Sequence, residues 1–155
     1  MDFRIRGLDP APFALFFGMD DAALAAARAV RCRADSKPGF PCRVSLDDAE
    51  PGDEVLLLNF EHLPLASPYR ASHAIYVSAG ARAAFDAVNE IPPALGRRLL
   101  SLRAFDAGGM MVDADIVEGS QAEPLIARLL RRADVDFVHA HFARRGCYAA
   151  RIDRA

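Results

Sequence analysis

His139 and His141 lie two residues apart in the segment Phe137-Val-His-Ala-His-Phe142. On a strand, that spacing turns both imidazoles to one face. Imidazole is the side chain that titrates closest to neutral pH, and it is also the commonest metal ligand. If the next strand pairs Phe142 with Cys147, the loop between them has four residues. His141 then stands opposite Tyr148 and His139 opposite Ala150. Val135, Phe137 and Ile152 are expected on the same face. Two imidazoles and a phenol placed this way suit a partly buried polar patch stabilised by hydrogen bonds, or anion binding or proton transfer. Zinc takes three or four protein ligands. Two imidazoles fall short, so no metal site and no cofactor are expected.

Three further groups carry possible chemistry. Segment 61–73 brings His62, Tyr69, Arg70, Ser72 and His73 close together in sequence. A guanidinium fork with hydroxyl and imidazole donors can cradle a carboxylate or phosphate. Cys42 precedes Arg43, and Cys147 follows Arg144-Arg145-Gly146. Nearby arginines favour the thiolate, which is the nucleophilic form. With His141 alongside, either cysteine could form a Cys–His pair, although no papain-like or C-x-x-C signature is present. Asp106, Asp113 and Asp115 fall on one face if Gly108-Gly109 is the turn of a hairpin. A carboxylate cluster of this kind binds a divalent cation or simply faces solvent; the solvated face is the expectation. The chain has no Walker loop, G-x-G-x-x-G, H-E-x-x-H or G-x-S-x-G motif.

A set of segments taken together resembles a known family. They are Lys37-Pro-Gly-Phe-Pro-Cys-Arg-Val-Ser-Leu46, Glu61-His-Leu-Pro64 with Ser67-Pro-Tyr-Arg70 and Ser72-His-Ala74, Ala104-Phe-Asp106 with Met110-Met-Val-Asp-Ala-Asp115, and His139-Ala-His141 with Gly146-Cys-Tyr-Ala-Ala-Arg151. The set is similar to a bacterial family known as domain of unknown function 1203, over essentially the whole chain. The resemblance implies a bacterial protein of one domain. It implies no activity. Where the family pattern has an acidic residue in the hairpin turn, this chain has Gly108.

The elements that must position these residues follow from periodicity. Phe3-Arg-Ile-Arg6 alternates as a half-buried strand does. Phe13, Phe16 and Phe17 share a stripe on a short helix after Asp9-Pro10, and Asp20 or Asp21 caps a second helix. Val30 to Ala34 alternates again and points Cys32 toward a core. Residues 35–42 form a loop marked by two prolines and a glycine. Arg43 to Leu46 resumes a strand. The apolar run Val55-Leu-Leu-Leu58 predicts a strand covered on both faces, residues 61–72 a second long loop, and Ala74 to Val77 another strand. A short helix is expected around 93–98. Gly108-Gly109 predicts a type I′ hairpin joining strands 99–106 and 110–117. Ser120-Gln-Ala-Glu123 has the form of a capping box, and Leu125, Ile126, Leu129 and Leu130 continue it as an amphipathic helix over about 121–132. Strands 135–143 and 147–153 close the chain. Short links between consecutive strands demand antiparallel pairing. The fold class is therefore α+β, with helices packed on one face of a mostly antiparallel sheet.

Composition sets the remaining limits. At 155 residues and 16.8 kDa the chain has the size of one domain, 1–155. It carries 19 basic and 21 acidic residues, net −2, with no basic stripe, so no nucleic-acid partner is expected. All but one of the basic residues are arginine. The N-terminal residues lack the apolar stretch of a signal peptide, no run is long enough to span a membrane, and three cysteines suit a reducing cytoplasm better than a disulfide framework. The functional expectation is a cytoplasmic module that binds a small anionic molecule through Arg43, Tyr69, Arg70, His73, His139, His141 and Tyr148. The alternatives are an enzyme using Cys42 or Cys147 with His141, and a structural or interaction protein forming a homodimer.

Overall fold

The computed structural model describes residues 1–155 and is α+β, 19% helical and 39% strand. Nine strands form two sheets, with every ladder antiparallel. Strands β1 (Phe3–Arg6), β5 (Asp86–Val88), β6 (Leu99–Phe105), β7 (Met111–Glu118), β8 (Phe137–Phe142) and β9 (Tyr148–Arg154) make a six-stranded sheet in the order β5-β1-β9-β8-β6-β7. Strands β2 (Ala29–Arg33), β3 (Glu54–Leu63) and β4 (Ala71–Ser78) make a three-stranded sheet with β3 at its centre. The sequence predicts one sheet; a second forms because β2, β3 and β4 pair only with one another and with no strand of the larger sheet.

The apolar face of the large sheet is the main core. Leu100, Leu102, Ala104, Val138, Ala140 and Ile152 pack under helix α3 (Ala122–Leu130), which contributes Ile126, Leu129 and Leu130, all buried. The amphipathic spacing is borne out, with Leu125 half-buried at its margin. The capping box is not. A 3-10 turn, Gly119–Gln121, precedes the helix, so Gln121 occupies the N-cap and Ser120 caps nothing. The cause is local. Gly119 is wedged against the backbone of the short helix α2 (Pro93–Gly96), donating its N–H to Arg98 O at 2.8 Å, and this fixes where α3 can start.

Asp113 and Asp115 do share a face, paired with Ala104 and Leu102 as expected. That face is not idle. Arg128 of α3 and Arg132 just past its end reach across to them at 3.1–3.3 Å, so the carboxylates anchor the helix by ion pairs. The hairpin turn also differs from type I′. Gly109 alone has positive φ, +83°, and Asp106 N donates to Met110 O. This is a three-residue loop, a type I turn closed by a left-handed residue, and it leaves Phe105 rather than Asp106 paired with Met111. A Cβ at Gly109 would also press on Leu65 at 3.0 Å. Gly109→Val is expected to cost about 1–3 kcal/mol, read as a lower urea midpoint with unchanged m-value.

Near the N-terminus, residues 11–18 form a 3-10 helix, and Asp20 caps helix α1 (Asp21–Ala26) by accepting from Ala23 N at 2.8 Å. Arg43 to Leu46 is not a strand. Leu46 N bonds Cys42 O, and Leu46 takes φ +52°, so the segment is a tight turn. Only an isolated bridge ties Cys42 to Tyr76 of β4. No helix is long and apolar enough to cross a membrane.

Candidate functional site

The second face of the large sheet carries Phe137, His139 and His141 on β8, Phe105, Arg103 and Ser101 opposite them on β6, and Tyr148 at the start of β9. The expected pairing of His141 with Tyr148 holds, and Phe142 N bonds Cys147 O. His139 pairs with Arg151 rather than Ala150, because Ala149 is an extra residue in a β-bulge. The bulge also moves Ile152 to the opposite face, where it packs in the main core with Val135. Both were expected beside the histidines.

The small sheet covers this face. Segment 61–73 is less of a loop than its prolines suggest. Strand β3 continues to Leu63 and β4 begins at Ala71. Glu61 pairs with Ser72 and Leu63 with Ala71, which leaves His62 as the unpaired residue of a second bulge. A bulge re-aims a side chain. Here the His62 ring lies sandwiched between His73 (centroids 4.7 Å, planes 4° apart) and Tyr148 (4.9 Å, 11°). The rings of His139 and His141 meet His62 edge-on at 5.5 and 5.1 Å. The chain has four histidines, and all four converge here.

The ring nitrogens are the unusual feature. Ligating nitrogens of His62, His139 and His141 lie within 4.8 Å of one another. His141 Nδ1 sits 3.0 Å from Gly146 O. A carbonyl can only accept, so Nδ1 carries the proton and Nε2 keeps its lone pair. That Nε2 has no partner, nor do both nitrogens of His62, Nδ1 of His73 and Nδ1 of His139, and all are shielded from solvent. A buried polar group left unpaired costs about 1–3 kcal/mol. Five such atoms in one place are a large local deficit.

Electrostatics keep these rings neutral. Burial lowers His139 to about 2, His141 to about 3 and His62 to about 4, with the Arg103 charge and the neighbouring histidines adding to each. His73 is lowered as well, first by burial and then by Arg103. Burial raises the Tyr148 phenol, which therefore stays protonated. At neutral pH the cluster presents uncharged imidazoles, the form that binds metals.

Of the residues expected at the site, His73, His139, His141 and Tyr148 are brought together. Tyr69 and Arg70 are exposed beyond the cluster: Tyr69 edges onto Phe105, and Arg70 pairs with Glu61 at 3.1 Å. Arg43 is 1% exposed and works as a strut, donating to Tyr148 O at 2.7 Å, to Pro41 O and to Cys147 Sγ at 3.1 Å. Cys42 Sγ accepts from Ser78 N, and Cys147 packs against the main core. Neither sulfur bonds an imidazole, so no Cys–His pair with His141 forms. His62 and Arg103 complete the cluster. The alternation Leu56, Leu58, Phe60, His62 was the signal for the first; pairing of β6 with β8 was needed for the second.

These features define an antiparallel α+β protein with a buried histidine cluster held between two sheets. The chain belongs to the family of proteins of unknown function DUF1203, matching it over residues 39–154, the stretch that contains every histidine. No curated protein and no solved structure matches the chain.

Proposed function

We propose that the chain is a transition-metal-binding protein, with His62, His139 and His141 as ligands and His73 beside them. The observation that carries this reading is the convergence of solvent-shielded, unpartnered ring nitrogens from two different sheets. A metal ion satisfies several of them at once. Neutral imidazoles suit zinc, copper and nickel. Ligands at about 2.0–2.1 Å in a tetrahedron stand about 3.4 Å apart, so nitrogens now within 4.8 Å of one another close by up to about 1.4 Å on binding. The Gly146 carbonyl on His141 Nδ1 is the outer partner that orients a ligating histidine. Anion binding by the histidines themselves is disfavoured because they are neutral, and Arg43 is spent on internal carbonyls. Three free cysteines accord with a reducing cytoplasm.

Chelator-treated protein should bind one equivalent of Zn2+ by calorimetry near pH 7.5. At 100 times the dissociation constant, the ion should raise stability by about 2.7 kcal/mol. His62→Gln should weaken binding at least about tenfold while leaving the strands intact by far-UV circular dichroism. Failure of the wild-type chain to bind Zn2+, Co2+, Ni2+ or Cu2+ would refute the proposal.

A further inference from the structure

Arg103 stands directly opposite His139 on β6, on the face that carries the cluster. Its guanidinium is partly buried, and no carboxylate pairs with it. Its one side-chain hydrogen bond goes to Ser101 Oγ at 3.3 Å. Of the other charged groups around the cluster, Arg151 is paired with Asp153 and Glu61 with Arg70, while the buried Arg43 meets only carbonyls and Cys147 Sγ. A divalent ion on three neutral imidazoles would bring two more positive charges to a site that already faces the guanidiniums of Arg103 and Arg43 and has no unpaired carboxylate. Positive charges in a half-buried place repel strongly. Building on the metal-binding reading, we infer that the open coordination position takes a small carboxylate-sized anion, shared between the metal and the Arg103 guanidinium.

The size limit follows from the shielding of the ring nitrogens. His62 lies under Tyr148 and His73, and Phe105 and Phe137 close the side next to His139. The arginine fork matches the two oxygens of a carboxylate, one of which can also face the metal. On this reading, the anion-binding role expected from the sequence would fall to a metal and one arginine rather than to protonated histidines.

The test uses the whole chain loaded with one equivalent of Co2+, titrated with acetate and followed through the visible spectrum of the metal. Acetate should shift the wild-type spectrum with saturation. Arg103→Met should keep the Co2+ stoichiometry, which shows that it folds, and lose acetate affinity by about tenfold, the scale of a charge-assisted hydrogen-bonded pair. Arg103→Lys, which keeps the charge and loses the fork, should fall between the two. A Co2+ spectrum indifferent to acetate would overturn the inference and leave the metal site standing, as would equal acetate affinity in wild type and Arg103→Met. Absence of Co2+ binding to the wild type would overturn both.

Discussion

Lowering the pH from 7.5 to 4.5 in the presence of a chelator is expected to remove about 5 kcal/mol of stability through His139 and His141 alone. In the unfolded chain both rings titrate at the ordinary value near 6.5, whereas in the folded protein burial holds them at about 2 and about 3. Between pH 6.5 and pH 4.5 the unfolded state takes up protons that the folded state refuses. Folding stability therefore falls as the pH drops through that window, by about 1.4 kcal/mol per unit for each ring. Both rings are almost wholly buried, 2% and 0% exposed, so water screens little of this. The sum rivals the whole stability of a typical domain, about 5–15 kcal/mol. Asp48, Asp86 and Asp134 are held below the usual carboxylate range by arginines, so their share of acid lability comes at lower pH. Urea midpoints measured across the series should show the loss, and His139→Phe, with no proton to accept, should lose about half of it. A flat profile down to pH 4.5 would mean the rings are not buried as described.

Gly119→Ala is expected to cost more than about 4 kcal/mol. The added methyl would overlap the carbonyl oxygen of Leu95 and lie 2.7 Å from its carbon and 2.8 Å from Arg98 O. All of these atoms are backbone, so no rotamer change relieves the clash. The substitution must prise α2 from the start of α3, which covers the main core. Gly80→Ala, at a position with open space around it and no positive φ, should stay within about half a kcal/mol of wild type. Parallel thermal denaturation of the two variants checks the contrast. Similar melting temperatures would show that the α2–α3 junction is loose.

Local patterns in the chain carry most of the secondary structure. Phe3 to Arg6 and the α3 stripe read correctly because burial on one face imposes a period that survives in the residues themselves, whereas the alternation from Val30 found a strand but not its faces, since Val30 is exposed and Ala29 buried. Ser120 misled because a capping motif records only local preference, and the wedge of Gly119 against α2 depends on residues more than twenty positions away. The site divides in the same manner. His139, His141 and Tyr148 were legible from alternation and one turn. His62 required knowing that β3 carries through a bulge toward Pro64, where local signals read as a loop. Arg103 required the pairing of β6 with β8, a contact across some thirty-six residues. Arg43 looked like a ligand-binding group because its type is common in such sites, yet burial among carbonyls gives it an internal task.

The two ends of the chain lie side by side. Strands β1 and β9 are antiparallel neighbours in the large sheet, with Phe3 across from Arg154 and Arg6 across from Arg151, and Ala155 N reaches Asp2 O at 3.2 Å. Tension applied to the termini, as when the protein is drawn into a protease or an unfoldase, loads these bonds one after another, as in a zipper, rather than all together in shear. Each step breaks one backbone link. Resistance to pulling is therefore low compared with the protein's resistance to heat or urea. Continued peeling runs up β9 from Arg154 to Tyr148 and strips away the ring that stacks on His62, so mechanical unfolding dismantles the histidine cluster early.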